Sequence, residues 1–88
     1  MIKRIYGFKN VKSGNFGDPR FELIPKEEAA EYYAVAIKEA PAKDQEFMKE
    51  IDVYYLGTLD TKTGEIKADC DFVVSLGSVL DGGTKEAE

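Results

Sequence analysis

The sequence predicts an α+β domain, in which a small antiparallel sheet of β-β-α-β-β order carries one main helix packed on one face. Three observations support this prediction. Two strand-like stretches lie near the N-terminus, two more lie in the second half, and an amphipathic stretch separates the two pairs. Turn-forming residues join the members of each pair, and strands joined as hairpins form antiparallel sheets.

The first strand pair covers residues 2–11 and residues 20–23. A cluster of turn-forming residues follows the first of these strands, which allows the second to pair back as a hairpin. Side chains alternate along a strand, so every second residue from Ile2 to Phe8 should share one face. Ile5 should therefore point to the opposite face.

The main helix is expected to begin at Pro25 and to end before Pro41. Proline is tolerated in a first helical turn, and the two glutamates that follow it suit the positive end of the helix dipole. Apolar residues then recur at spacings of three and four, a pattern typical of an amphipathic helix. The residues of this stripe are Ala29, Tyr33, Ala36, Ile37 and Ala40.

A short second helix is expected at residues 45–50, after the proline that ends the main helix. Asp44 has a side chain suited to the N-cap position of this helix. The apolar residues Phe47, Met48 and Ile51 are then expected to pack inward. This segment leads directly into the second pair of strands.

The second strand pair begins at residues 52–59, which are rich in aromatic and branched side chains. Residues 60–64 form a hairpin loop in which Gly64 supplies a positive φ angle. Residues 65–68 return as the next strand. The apolar residues 72–76 are interpreted either as a further strand or as a segment that caps the sheet.

One domain is expected at residues 1–80, followed by a disordered acidic tail at residues 81–88. The 88 residues are too few for two domains, and the tail has almost nothing to bury. Cys70 is the only cysteine and cannot form an internal disulfide, which favours a reducing cytosol. No apolar run approaches the roughly 20 residues that cross a bilayer, so no membrane association is expected.

Catalysis, metal binding and a cofactor are not expected. The chain has no histidine, which is the commonest general base and a common metal ligand. Its serines therefore lack an activating base, and no glycine-rich segment has the spacing of a phosphate-binding loop. The segment from Asp60 to Asp71 has the length of a calcium loop, but Lys62 occupies a ligand position and Gly64 falls one position early. We predict that the protein is not an enzyme.

The net charge of −5 is unevenly distributed along the chain. Residues 1–26 contain six basic and two acidic side chains, whereas residues 27–88 contain six basic and fifteen acidic ones. Segregation of this kind can produce a face that binds a polyanion, although plain solvation produces it as well. A nucleic-acid partner would therefore have to bind the N-terminal hairpin.

Basic and aromatic residues are concentrated in that hairpin. Single-stranded nucleic acid is bound by such sets, because cations neutralise phosphates while aromatic faces stack on bases. The candidate nucleic-acid-binding residues are Lys3, Arg4, Tyr6, Phe8, Lys9, Lys12, Phe16 and Arg20. Arg4, Tyr6 and Phe8 would form a stacking surface on one strand face. In the alternative interpretation, Tyr6 and Phe8 belong to the core and the lysines are merely solvated.

Several segments together resemble one known family. The N-terminal segments are Tyr6-Gly-Phe-Lys-Asn-Val-Lys-Ser-Gly14 and Phe16-Gly-Asp-Pro-Arg-Phe21. After a helix come Tyr54-Tyr-Leu-Gly-Thr-Leu-Asp60 and Thr63-Gly64-Glu65-Ile66. Over residues 2–80 the chain resembles the small non-structural protein of gokushoviruses, the microvirus branch of the small single-stranded DNA phages. The piece from residue 55 to residue 60, with the Thr-Gly turn, is the most specific part of the resemblance.

The resemblance implies a phage accessory protein that is absent from the mature capsid and acts in the cytoplasm of the bacterial host. It implies a role in single-stranded genome replication or in the switch from replication to packaging, and it defines no catalytic residues. We expect a homodimer that binds single-stranded DNA through the N-terminal hairpin. The alternative is a protein-interaction module that engages a phage replication or capsid protein, or a host factor. Its contacts would come from residues 27–39 and the exposed sheet face, without nucleic acid.

Overall fold

A computed structural model describes residues 1–81 of the chain. The elements are β1 (Ile2–Asn10), β2 (Arg20–Glu22), α1 (Lys26–Lys38), α2 (Ala42–Met48), β3 (Ile51–Asp60), β4 (Ile66–Ser75) and α3 (Leu76–Leu80). The α+β class and its four-stranded antiparallel sheet are confirmed. The β-β-α-β-β order is incomplete, because it leaves out two short helices: α2 before β3, which was expected at residues 45–50, and α3 after β4, which was not expected. The predicted tail lies, apart from its first residue, outside the described residues.

The strands lie in the order β2-β1-β3-β4, and every neighbouring pair is antiparallel. The two hairpins expected from the sequence are present. The long connection through α1 and α2 then places β3 beside β1, with Ile2 opposite Asp60 and Asn10 opposite Ile51. The N-terminal strand is therefore central, and one of its faces contributes to the core.

One face of the sheet, here called the covered face, packs against the helices. The core residues on this side are Tyr6, Ala29, Tyr33, Ile37, Ile51, Val53, Leu76 and Val79. The predicted stripe of α1 is confirmed at Ala29, Tyr33 and Ile37, all of which are buried. It is wrong at Ala36, which is exposed. Tyr6 anchors the arrangement, because its ring lies edge-on to those of Tyr33 and Tyr55, each with its centroid 5.7 Å away.

A bulge in β3 changes which side chains reach the other face. Ile5 pairs with Gly57 and Tyr6 with Tyr55, so Leu56 is the extra residue of the longer strand. Gly57 has φ 132°, and a Cβ at this position would overlap the carbonyl oxygen of Lys67 on β4. Glycine is therefore required where three strands approach one another closely.

The region around α2 differs from the sequence prediction in two respects. The helix begins at Ala42 with Pro41 as its N-cap residue, so Asp44 lies in the first turn instead of capping it. Met48 packs against the core and Ile51 is buried, as expected, but Phe47 is 66% exposed. The side chain of Phe47 projects from a short helix that has no buried residue of its own.

The final strand is longer than predicted. β4 extends from Ile66 to Ser75 as one strand, and a bulge near Val73 places both Val73 and Val74 against the core. The apolar segment 72–76 is thus the end of this strand and the first residue of α3. The Ser75 hydroxyl caps α3 by accepting a hydrogen bond from the Ser78 amide.

Candidate nucleic-acid interface

The stacking surface predicted at Arg4, Tyr6 and Phe8 is wrong. Tyr6 is 0% exposed, and its hydroxyl donates a hydrogen bond of 2.7 Å to the carbonyl oxygen of Ile24. Phe8 is half-buried against the core, with its ring 5.5 Å from that of Tyr33. These side chains lie on the covered face, where the residues of α1 and α3 pack, so they cannot form the exposed three-residue stacking surface that was predicted.

The opposite face of the sheet, here called the open face, is not packed against α1, α2 or α3. Alternation along β1 directs Ile5, Gly7 and Lys9 to this face. Phe21 lies opposite Ile5 on β2, and Tyr54 lies opposite Gly7 on β3. The open face is therefore rich in large apolar side chains.

Three aromatic rings form a continuous row across the open face, here called the ring row. The Phe16 and Tyr54 centroids are 5.3 Å apart, and those of Tyr54 and Phe72 are 5.7 Å apart, both in edge-on contact. Phe16 is 43% exposed and Phe72 is 55% exposed. Aromatic rings exposed in this way can accept the face of a nucleic-acid base.

Lys9 adds a positive charge to the ring row. Its Nζ lies 6.0 Å from the centroid of Phe16 and 5.8 Å from that of Tyr54, which is within the range of a cation–π interaction. Within residues 1–81, Lys9 makes no ion pair with a carboxylate. Its ammonium is thus held over the rings with its charge uncompensated by direct contact.

The local sequence explains how Phe16 reaches β1. The Gly17 amide donates to the Phe8 carbonyl oxygen at 2.9 Å, and Phe16 forms an isolated bridge with Lys9. A Cβ at Gly7 would overlap the Leu56 side chain and lie 3.1 Å from the ring of Phe16. The missing side chain at Gly7 therefore creates the space that these two residues occupy on the open face.

The predicted basic residues do not form one cluster. Lys3 and Lys9 lie on the open face, separated by about 20 Å at the usual rise of a strand. Arg4 lies on the covered face. Arg20 pairs with Glu22 through Nε and Oε2 at 2.9 Å, on the same side as Arg4. The open face carries the basic residues Lys3 and Lys9 and few acidic residues. One of these is Asp52, which lies opposite Lys9 on β3.

Lys12 connects the loop that bears Phe16 to the start of β3. Its Nζ lies 2.9 Å from Oε2 of Glu50 and holds the pKa of the Glu50 carboxyl below its usual value. The pair is exposed to solvent, and exposed ion pairs contribute little to stability. Lys12 could therefore exchange its carboxylate partner for a phosphate at small cost.

Tyr54 and Phe72 are the functional candidates that sequence reasoning missed. Alternation along β3 separates Tyr54 from its neighbours Val53 and Tyr55, which pack against the core, and this signal is present in the sequence. Phe72 has no comparable signal, because its orientation depends on the bulge at Val73. The structure unites Phe16 and Lys9 from the predicted set with these two additional rings.

Among residues 1–81, no helix is long and apolar enough to span a membrane. The same residues contain no group of three or more acidic, cysteine or histidine side chains arranged to hold a metal ion. No protein-family model matches the chain, and no curated protein or solved structure shows a significant match to it. Its function is therefore inferred from the geometry of the open face.

Proposed function

We propose that the protein is a non-enzymatic accessory protein that binds single-stranded DNA on the open face. The observation that carries this proposal is the ring row, in which Phe16, Tyr54 and Phe72 lie in contact with Lys9 above two of them. Rings and cations in this arrangement are the two components of sequence-tolerant recognition of single strands.

Stacking supplies the larger part of the expected binding energy. Each base that stacks on an aromatic side chain contributes about 1–3 kcal/mol. Phe16 and Phe72 lie at the two ends of the ring row and are both substantially exposed. A strand that crosses β1, β3 and β4 would place a base on each of them.

Electrostatics sets the conditions under which binding is expected. The chain is acidic as a whole, with a net charge of −5, so distant carboxylates oppose a polyanion. Lys3 and Lys9 supply positive charge on the open face, and repulsion from the remaining surface is screened with a Debye length of about 10 Å at 0.1 M salt. The affinity for a strand should fall as salt rises because bound phosphates release counterions.

We extend the proposal to the biological setting that the family resemblance implies. The protein would act in the cytoplasm of a bacterial host during phage genome replication, or in the switch from replication to packaging. Binding without sequence preference suits either role, because single-stranded genomic DNA must be covered irrespective of its sequence. The predicted homodimer is part of this proposal.

Fluorescence anisotropy of a labelled oligothymidine tests the proposal. Phe72→Ala should weaken binding at least fivefold at low salt, since it removes one stacking surface. Val35→Ala is the matched control, because Val35 is an exposed apolar residue on α1. Undetectable binding of the wild-type protein at low salt, or equal binding by Phe72→Ala, would contradict the proposal.

The salt dependence provides an independent check on Lys9. Each phosphate contact with a single strand contributes about −0.7 to the slope of log affinity against log salt concentration. Lys9→Gln should make the slope shallower by about that amount. Lys38→Gln, in the last turn of α1, should leave it unchanged.

A second candidate function is protein interaction through the same face. Phe21 and Ile66 are exposed apolar residues on β2 and β4, and no cation of the ring row lies over them. Exposed apolar patches commonly mark protein-binding surfaces. Sedimentation at several concentrations tests for a second copy on this face: association lost in Ile66→Lys, with no binding of oligothymidine, would favour this candidate.

A further inference from the structure

A cavity of about 590 Å³ lies on the opposite side of the loop that carries Phe16. It is formed between that loop, the end of β1 and the helices α1 and α2. Its inner wall is largely apolar and includes Phe8, Tyr33, Met48, Ile51 and Leu76. Cavities of this size and character are typical of sites for small organic groups.

Aromatic and polar side chains surround the mouth of the cavity. Tyr32 and Phe47, which are 47% and 66% exposed, stand at the rim together with Phe16. Asn15 and Arg20 also line the cavity and supply hydrogen-bond donors, and Asp18 adds a carboxylate to the same lining. The site thus offers flat apolar surfaces below a polar edge.

The hydroxyl of Tyr33 lacks a hydrogen-bond partner within residues 1–81. The side chain is only 6% exposed, and burial raises the pKa of its hydroxyl, which therefore stays protonated as a donor. A buried hydroxyl without a partner costs free energy that a ligand with a suitable acceptor can recover. The hydroxyl oxygen is closed to solvent, so a ligand in the cavity reaches it only when the surrounding side chains shift. By contrast, the similarly buried Tyr6 hydroxyl is bonded to a carbonyl oxygen.

We propose that this cavity binds a single nucleobase of the DNA strand, unstacked from its neighbours. A base is flat enough to lie among the rings of Phe8, Tyr32 and Phe47, and its carbonyl or ring nitrogen atoms are acceptors for the Tyr33 hydroxyl. Arg20 at the mouth would contact the adjoining phosphate by giving up its ion pair with Glu22. This inference deepens the proposed function and rests on it.

Phe16 connects the cavity with the ring row. It forms one end of that row on the open face and also lines the cavity. A strand on the ring row would therefore have to continue past Phe16 and around its loop to bring a base to the cavity. A free nucleotide presents the same base as a DNA strand. Experiments must therefore distinguish whether the bound base belongs to a strand or to a free nucleotide.

The test measures oligothymidine affinity by anisotropy for three variants with distinct roles. Tyr33→Phe removes only the hydroxyl and should weaken binding roughly three- to tenfold. Phe47→Ala removes an exposed rim ring and should weaken it at least fivefold. Val35→Ala, which does not line the cavity, is the control and should bind as the wild type does.

Backbone-amide NMR with thymidine monophosphate forms the second arm. The nucleotide should shift the amides of Ala36 and Met48, which line the cavity, and Tyr33→Phe should reduce these shifts. If these shifts occur but oligothymidine does not bind, the cavity takes a free nucleotide and the proposed function fails. If oligothymidine binds equally to the wild type, Tyr33→Phe and Phe47→Ala, the inference is overturned while the proposed function stands.

N-acetyltryptophanamide distinguishes a protein partner from a base. If it shifts the amides of Ala36 and Met48 while thymidine monophosphate does not, the cavity accepts an aromatic side chain and the inference is wrong. If neither compound shifts them, the inference is also wrong. All three variants should be compared with the wild type by thermal unfolding, so that a loss of fold is not mistaken for a loss of binding.

Discussion

The two faces of the sheet are built from alternate residues of the same strands but have opposite roles. On the covered face, Tyr6 and Val53 are completely buried beneath the helices. On the open face, Phe16 and Phe72 remain exposed around Tyr54, with Lys9 above the rings. Aromatic content alone therefore does not identify a binding surface, because the layer that covers one face decides which rings are accessible.

The largest expected effect is the difference in stability loss between substitutions on the covered face and on the open face. Tyr6→Ala should lower the free energy of unfolding by about 3–5 kcal/mol, because it leaves a cavity and removes the partner of the Ile24 carbonyl. Phe72→Ala should change it by less than about 1 kcal/mol, since the side chain is largely in solvent. Urea unfolding of both variants measures the difference, and equal losses would contradict the assignment of the faces.

The bulge that shapes the open face is tested at Gly57. Gly57→Ala should cost about 2–4 kcal/mol, because it combines a positive φ with overlap against the Lys67 carbonyl. Gly64→Ala is the control: it also has a positive φ, but nothing lies within 4 Å of the added Cβ. The same unfolding measurement should show a clearly smaller loss at Gly64, and a reversed order would refute the bulge geometry.

Two buried tyrosines on the covered side allow a finer test. Tyr33→Phe should raise the free energy of unfolding by up to about 1 kcal/mol, because it removes a hydroxyl without a partner in residues 1–81. Tyr6→Phe should lower it by about 1 kcal/mol, since its hydroxyl bonds to the Ile24 carbonyl oxygen. Thermal or urea unfolding checks the signs, and a loss at Tyr33 would show that its hydroxyl is already satisfied.

The smallest expected effect concerns the ion pair that ties the Phe16 loop to β3. The Lys12 contact lowers the pKa of Glu50 from 4.5, so the ionised carboxylate is favoured in the folded state. Its stabilising contribution is therefore present above pH 4.5 and disappears as pH falls through the lowered value. Lys12→Met should have a slightly lower free energy of unfolding than the wild type near pH 7. The two values should become equal in acid. A gap that widens in acid would contradict this sign.

The sequence was most informative where local patterns determine structure. The stripe Ala29, Tyr33 and Ile37 predicted the buried side of α1, because helical periodicity is a local property. Alternation also correctly grouped Tyr6 with Phe8 on one face of β1. It could not show that this face is covered, because that depends on the side of the sheet on which α1 and α3 pack.

The candidate site was less predictable for the same physical reason. Phe16 and Lys9 are close in sequence and were both identified, whereas Tyr54 and Phe72 come from distant strands. Their contact depends on sheet order and on the bulge at Val73, and both arise from long-range pairing. Single-sequence patterns define which side chains share a face, but not which segments meet there.

The most direct test of the central claim is an NMR titration of the labelled protein with oligothymidine at low salt. If the open face binds single-stranded DNA, the largest amide shifts should lie at Lys9, Phe16, Tyr54 and Phe72, and they should diminish as salt is added. Shifts confined to the solvent side of α1, or no shifts at all, would contradict the claim.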